Sequence, residues 1–219
     1  MHANDLQLQT LRLYTELTAR HATLASHLVF AHGAGCSATG LPAAVSIAGG
    51  TALLLDPDLA TVKSVFRQGG LDFVVHSLDE ALRVLKNEIR KHTPLSVALP
   101  ADPALILAEM RERGVQPDLE LTVDAAPATA LARQHLALRL AELSPQANAW
   151  LATHRWSQVF LPTTTTAELR TLDTRLIAAL DGNQHRQQWL RRIPHYQRPA
   201  PETGRALWLS DLERIHLAL

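Results

Sequence analysis

A glycine-rich turn between two short apolar runs constrains the fold of this chain more than any other feature. The first run, Leu28–His32, leads into Gly33, Ala34, Gly35, Cys36, Ser37 and Ala38, and the second, Thr51–Leu55, ends at Asp56. In dinucleotide-binding folds the first glycine makes the tight turn, the second lets the backbone approach a pyrophosphate, and the acid accepts hydrogen bonds from ribose hydroxyls. The pattern therefore predicts a strand, a helix over residues 42–48 and a second strand, with residues 33–38 and Asp56 as candidate cofactor-binding residues.

Each of these candidates also has an ordinary structural interpretation. A glycine turn can simply join a strand to a helix, and Asp56 can cap a helix or end a strand in solvent. His76 follows the third apolar run, on the side where ligands bind in open α/β sheets, and is a further candidate for cofactor binding. A loop histidine without a role is the alternative at that position.

Short apolar runs continue to alternate with helical patterns up to about residue 121. The later strand candidates are residues 73–75, 95–99 and 119–121. Ser77 and Glu80 form a capping pair that starts one helix, and Asp102-Pro103 starts another that Gly114 ends. This alternation predicts an α/β fold, a Rossmann-like parallel sheet with helices on both faces. We assign residues 1–127 to this nucleotide-binding region, including an N-terminal helix over residues 6–25.

Residues 128–219 are predicted to form a mainly helical extension packed on the same domain. The predicted helices cover residues 131–143, 168–180 and 207–217, and residues 159–161 are a further strand candidate. Three prolines make residues 193–204 a loop. Trp189, Arg191 and Arg192 form a basic and aromatic patch that favours packing or an interface.

The charge balance and the single cysteine exclude several classes of function. The chain carries 21 basic and 21 acidic residues, whereas a dedicated nucleic-acid binder normally has a basic face. One cysteine excludes an internal disulfide and a thiolate metal cage, and the spacing of His21, His27 and His32 matches no common metal-ligand pattern. Because the sequence has no membrane-length apolar run and no leader pattern, we expect a cytoplasmic protein that binds no nucleic acid, membrane or metal.

Several short motifs follow one another in a fixed order along residues 28–120. The first is the glycine turn with Pro42 and Ala48-Gly49-Gly50. The later motifs are Gly70-Leu71-Asp72, Ser77-Leu78-Asp79-Glu80-Ala81-Leu82, Pro94-Leu95-Ser96-Val97 and Arg113-Gly114-Val115-Gln116-Pro117-Asp118. In this order they resemble the nucleotide-binding segment of the urocanase (urocanate hydratase) family.

The resemblance implies a Rossmann-like domain that holds NAD. In urocanases the NAD is not a hydride carrier, because its nicotinamide ring acts as an electrophile toward urocanate while water adds. By similarity, Gly33 and Gly35 would face the pyrophosphate, with N–H groups of the following helix as donors. Asp56 would accept from the adenosine ribose hydroxyls, which favours NAD over NADP.

The chain also departs from the family where the family carries its chemistry. Urocanases have the catalytic signature Asp-Gln-Thr-Ser-Ala-His-Asp-Pro. Here the sequence reads Leu119-Glu120-Leu121-Thr122-Val123-Asp124-Ala125-Ala126-Pro127, and no cysteine follows Cys36. The catalytic residues are therefore unknown, and the sequence leaves open whether the chain is an enzyme.

Three functions are compatible with these residues. The first is a stand-alone urocanase-like domain that binds NAD but does not hydrate urocanate by the family route. The second is a hydratase or lyase with an altered site, or with a site that a partner chain completes. The third is a structural or assembly protein that binds no nucleotide. The partners implied are a dinucleotide, a second copy of the chain or a partner chain.

Overall fold

A six-stranded parallel sheet organises the first two thirds of the chain. The structure is a computed structural model that describes residues 3–32, 40–123, 128–139, 142–180, 182–196 and 204–217. The strands of this sheet are β1 (Leu28–His32), β2 (Thr51–Leu55), β3 (Phe73–Val74), β4 (Leu95–Leu99), β5 (Leu119–Val123) and β6 (Gln134–Leu138). Their order is β3-β4-β2-β1-β5-β6, and every neighbouring pair is parallel.

The central strands are buried on both faces of the sheet. β2 is buried at every position and β4 at all but its first. Parallel strands covered on both sides read as continuous apolar runs, which is why the sequence identifies them. The predicted bounds of β1, β2 and β4 are confirmed, and β5 runs two residues further than predicted, to Val123.

Helices precede and connect these strands, and two of them begin at the predicted caps. They are α1 (Ala3–Arg20), α2 (Leu41–Ile47), α3 (Leu59–Arg67), α4 (Leu78–Arg90) and α5 (Pro103–Glu112). The Ser77 side chain accepts from the Glu80 N–H at 3.2 Å, and the Asp102 side chain accepts from the Ala104 N–H at 2.8 Å. Gly114 follows α5 at φ +65°, a conformation that suits glycine and ends the helix.

The two faces of the sheet carry different helices. Val29 and Ala31 of β1 pack in a cluster with side chains of α1, α2 and α3. Phe30, which points to the opposite face, packs with side chains of α4 and α5. The predicted Rossmann-like α/β fold with helices on both faces is confirmed.

The rest of the chain forms a second layer around α1. Its elements are α6 (Pro145–Thr153), β7 (Ser157–Pro162), α7 (Thr166–Ala179), α8 (Gln184–Arg192), a 3-10 turn (Ile193–His195), β8 (Gly204–Leu209) and α9 (Asp211–His216). The predicted strand near residue 160 is β7, which pairs antiparallel with β8. The helix predicted over residues 168–180 is α7, whose start is capped by the Thr165 side chain, which accepts from the Glu168 N–H at 3.1 Å.

Two predictions for residues 128–219 are wrong. The helix predicted over residues 131–143 is instead β6, because its backbone pairs with β5 and tertiary pairing outweighs the helix propensity of an Ala- and Leu-rich segment. The final helix begins at Asp211 and not at residue 207, because Gly204–Leu209 is a fully buried strand that pairs with β7.

Aromatic rings join α1 to this second layer. Tyr14 of α1 stacks on Trp208 at 5.4 Å and on Trp189 at 5.5 Å between ring centroids. Trp150 and Trp156 extend the stack from Trp208, at 5.1 and 5.9 Å. We call these five rings the aromatic cluster. None of the helices described is both long enough and apolar enough to cross a membrane.

Candidate functional site

The strand order reverses at β1, which places a crevice at the carboxyl ends of β1 and β5. β1 pairs with β2 on one side and with β5 on the other. Beyond β2 the sheet continues with β4 and β3, and beyond β5 it continues with β6. Ligands of open α/β sheets bind at such a switch point, outside the carboxyl ends of the strands.

The glycine turn belongs to this switch point by its place in the chain. Residues 33–38 connect the end of β1 to α2, but they lie outside the described residues. The flanking positions are described: His32 ends β1, and Gly40 precedes α2 without a side chain that caps the helix. The prediction that residues 33–38 bind a cofactor stays a prediction.

Asp56 lies at the carboxyl end of β2, next to β1. Leu55, the residue before it, pairs with His32 in the sheet. The Asp56 side chain is 6% exposed, and its Oδ1 accepts from the Asp58 N–H at 2.8 Å.

His76 is not brought to the switch point. It follows β3, and two strands, β4 and β2, stand between β3 and β1. At the usual spacing of strands this separation is about 14 Å. The His76 N–H donates to Glu80 Oε2 at 3.1 Å, so its backbone is part of the start of α4.

A buried carboxylate and an imidazole meet beside the switch point, and the sequence did not single them out as a site. Glu120, in β5, is 1% exposed, and its Oε1 lies 3.5 Å from Nε2 of His32. The same oxygen accepts from the Thr129 N–H at 2.8 Å. Nε2 of His32 is buried and makes no hydrogen bond within accepted geometry to any residue that the structure describes. A carboxylate next to an imidazole is a pair that can hold and transfer a proton.

A second polar pair continues along the same face of the sheet. Thr122 Oγ1 and His135 Nε2 lie 2.9 Å apart. His135 pairs in register with Glu120, so both pairs belong to the face covered by α4 and α5. Glu120, a charged residue between two leucines of β5, is the signal in the sequence for the first pair. Its partner, His32, is identified only once the order of the strands is known. Among the residues described, no group of three acidic, histidine or cysteine side chains could hold a metal ion.

A cavity of about 560 Å³ opens at the carboxyl end of β6. Arg139 lies on its β6 side, and Glu16 and Arg20 of α1 lie on the other. Glu16 is buried and accepts from the N–H and Oγ of Ser144, at 2.6 and 2.9 Å, and from the Arg20 guanidinium. The Glu16 carboxylate therefore anchors the start of α6. Arg139 pairs at 3.0 Å with Glu142, which also lines the cavity, so the lining carries charges of both signs.

Two comparisons with known proteins complete the description of the site. The family model described as the urocanase Rossmann-like domain matches residues 8–131, which is more than half of the chain. A solved structure of L-tryptophan dehydrogenase from Nostoc punctiforme matches 89% of this chain with 9% sequence identity and a TM-score of 0.32. This chain spans 52% of the length of that dehydrogenase chain.

Proposed function

Because the chain belongs to the urocanase family through its Rossmann-like domain, we propose that it binds NAD at the carboxyl edge of its sheet and does not hydrate urocanate by the family's route. The observation that carries this proposal is the switch point at β1, where the glycine turn leaves the sheet. The residues that hold the family's chemistry are replaced in this sequence by β5 and the segment that follows it.

The described residues fit a dinucleotide in two respects. An acid stands at the end of β2, where the acid of dinucleotide-binding folds contacts the adenosine ribose. On the other side of the switch point, β6 ends beside a cavity that contains Arg20 and Arg139, which pair with Glu16 and Glu142 of the same cavity. Bound NAD would supply an electrophilic nicotinamide ring, while Asp56 would orient the adenosine ribose.

Analysis of released nucleotide tests the proposal directly. The purified protein is denatured, and the supernatant is analysed by chromatography and mass spectrometry for NAD, NADP and ADP-ribose. We expect NAD, and a thermal shift on adding NAD to protein freed of nucleotide. A Gly35→Arg variant should lose both signals, because a long side chain would occupy the turn. Absence of nucleotide, together with absence of a thermal shift in the wild type, would refute NAD binding.

Asp56 provides a sharper test of specificity. We expect Asp56→Ala to weaken NAD binding about tenfold, from the loss of charge-assisted hydrogen bonds, and to narrow the preference for NAD over NADP. Asp58→Ala is the matched control, because Asp58 is exposed two residues later and caps α3 through the Ala60 and Thr61 N–H groups. The control should lower stability without changing the ratio of the two affinities, measured by calorimetry.

The His32–Glu120 pair favours an enzyme with an altered site as a second candidate. Such an enzyme would use the pair to hold or move a proton beside the bound ligand. Loss of urocanate absorbance in the presence of the NAD-loaded protein would support it, and Glu120→Gln should then abolish turnover while NAD release stays unchanged. Glu112→Gln, at the exposed end of α5, is the control. A wild-type protein that holds NAD and leaves urocanate intact would exclude this candidate for that substrate.

A further inference from the structure

A groove of about 640 Å³ lies at the amino edge of the sheet, opposite to the switch point. Phe73 starts β3 and Leu95 starts β4, and the end of α3 and the 3-10 turn complete the walls. We call this cavity the amino-edge groove. It uses none of the residues assigned to the dinucleotide and lies at the other end of the strands.

Two phenylalanines are exposed in the amino-edge groove. Phe66 is 45% exposed and Phe73 is 53% exposed, whereas Phe30, on the same sheet, is fully buried. Leu71, Pro94 and Leu95 add further apolar wall. Because leaving apolar area in water is unfavourable, these rings offer a favourable surface for an aromatic or aliphatic group.

The Asp72 carboxylate beside the groove is engaged within the protein. Asp72 Oδ1 pairs with His195 Nε2 at 2.9 Å, and its Oδ2 accepts from the N–H and Oγ of Ser96, both at 2.8 Å. The carbonyls at the end of α3 are also used. They accept from the N–H groups of Gln68, Gly69 and Gly70 at 3.0 Å.

The group that remains available to a ligand is a cation. Arg67, the last residue of α3, is exposed and lines the groove, and it takes part in no hydrogen bond or ion pair among the residues that the structure describes. Burial, followed by the charge of Asp72, raises the pKa of the Tyr196 phenol beneath the groove, so this group stays neutral. The surface therefore combines aromatic rings with the Arg67 guanidinium, beside the paired side chains of Asp72 and His195.

We propose that the amino-edge groove binds a small aromatic carboxylic acid. The ring of the acid lies against Phe66 and Phe73, where offset or edge-on stacking is favourable. The carboxylate receives charge-assisted hydrogen bonds from the Arg67 guanidinium, whose planar fork matches a carboxylate. The proposal is independent of NAD binding, because the two sites lie at opposite edges of the sheet.

Titration of the full ¹⁵N-labelled chain with phenylacetate tests this site. We expect backbone amide shifts confined to residues 66–73, 95 and 195, with saturation at millimolar concentrations. 2-Phenylethanol has the same ring and no charge, and it should bind about fivefold more weakly, the effect of one exposed ion pair. Absence of saturable shifts, shifts centred on the carboxyl edge, or equal affinity for the two compounds would each overturn the proposal.

Variants separate the contributions of charge and ring. Arg67→Gln should lower the affinity for phenylacetate to that for 2-phenylethanol, and Phe73→Ser should weaken binding of both compounds. Arg83→Gln, which removes an exposed arginine on α4, should change neither. Unchanged binding in Arg67→Gln or Phe73→Ser, or an equal loss in Arg83→Gln, would contradict the assigned contacts. The amide spectrum of each variant shows whether it is folded.

Discussion

One buried arginine depends strongly on its carboxylate partner. The Arg205 side chain is fully buried, and its Nε and Nη2 donate to the two carboxylate oxygens of Asp173, both at 2.7 Å. A bidentate pair of this kind fixes β8 against α7. Removing the carboxylate would leave a buried guanidinium without its counter-charge.

We expect Asp173→Ala to lower the free energy of unfolding by about 3–5 kcal/mol, the usual effect of breaking a buried ion pair. Asp79→Ala is the matched control, because Asp79 pairs with an exposed arginine, Arg113. The control should unfold close to the wild type. Urea denaturation followed by circular dichroism measures both variants, and equal destabilisation of the two would contradict the prediction.

The folded protein holds the pKa of two histidines below the usual value, so its stability depends on pH. Burial, followed by the nearby charge of His154, lowers the pKa of His185 below its usual 6.5. The unfolded chain therefore binds a proton more readily than the folded protein, so stability is fully present above about pH 6.5 and falls as the pH drops through the window below it. Burial also lowers the pKa of His21, with the same sign.

We expect the free energy of unfolding to decrease between pH 7.5 and pH 5.5, values that bracket the ordinary histidine pKa of about 6.5. His185→Gln should show a shallower decrease, because it removes one of the groups that resist protonation. His76→Gln, an exposed histidine, is the control. Urea unfolding at several pH values provides the slopes, and an unchanged slope in His185→Gln would refute the assignment.

At the level of elements, the sequence predicts those strands and helices that a local run of residues is enough to mark. β1, α2 and β2 are predictable because each is a buried apolar run or a small-residue helix between glycines. β6 is not, because it is an edge strand whose Gln134 and His135 are exposed, so no alternation of apolar residues marks it. The His32–Glu120 contact depends on which strands are neighbours, and that information is not local. For the glycine turn, the sequence predicts a nucleotide-binding motif, and its residues 33–38 lie outside those that the structure describes.

Close packing between α1 and α2 depends on a glycine. A Cβ added to Gly40 would lie 2.6 Å from Thr10 Oγ1 and 3.2 Å from Thr10 Cα. We expect Gly40→Ala to destabilise the protein by about 1–3 kcal/mol, as overpacking does. Thr10→Ala in the same chain should recover part of this loss, because it removes the nearest atom.

Gly114→Ala is the control for this double-mutant cycle. Gly114 has φ +65° and no atom within 4 Å of an added Cβ, so its substitution strains only the backbone. Thr10→Ala should therefore bring no recovery in that background. Strictly additive effects of Gly40→Ala and Thr10→Ala on the free energy of unfolding, measured in urea, would show that Gly40 and Thr10 are not in close contact.

At the scale of the whole molecule, the extension and the sheet share one core. Leu13, Leu17 and Tyr14 of α1 belong to the same buried cluster as Trp189 and Trp208 of the extension. The Arg192 guanidinium also donates to the Ser46 carbonyl of α2 at 2.8 Å. Residues 128–219 are therefore proposed to be part of the folding unit of the Rossmann-like region.

We expect a chain cut after residue 127 to lose cooperative folding, because α1 would expose the side chains that the tryptophans cover. Urea titration of the truncated chain followed by far-ultraviolet circular dichroism should give a broad transition of low slope. A sharp transition with the slope expected for a chain of that length would instead identify residues 1–127 as an independent domain.

The aromatic cluster has a further consequence for optical measurements. All four tryptophans of the chain lie in it, at centroid distances that permit rapid transfer of excitation among the indoles. Intrinsic emission therefore reports on the layer around α1 and not on the α4 and α5 side of the sheet, where no described residue is a tryptophan. A tryptophan introduced by substitution on α5 would add fluorescence emission that reports on the α4 and α5 side of the sheet.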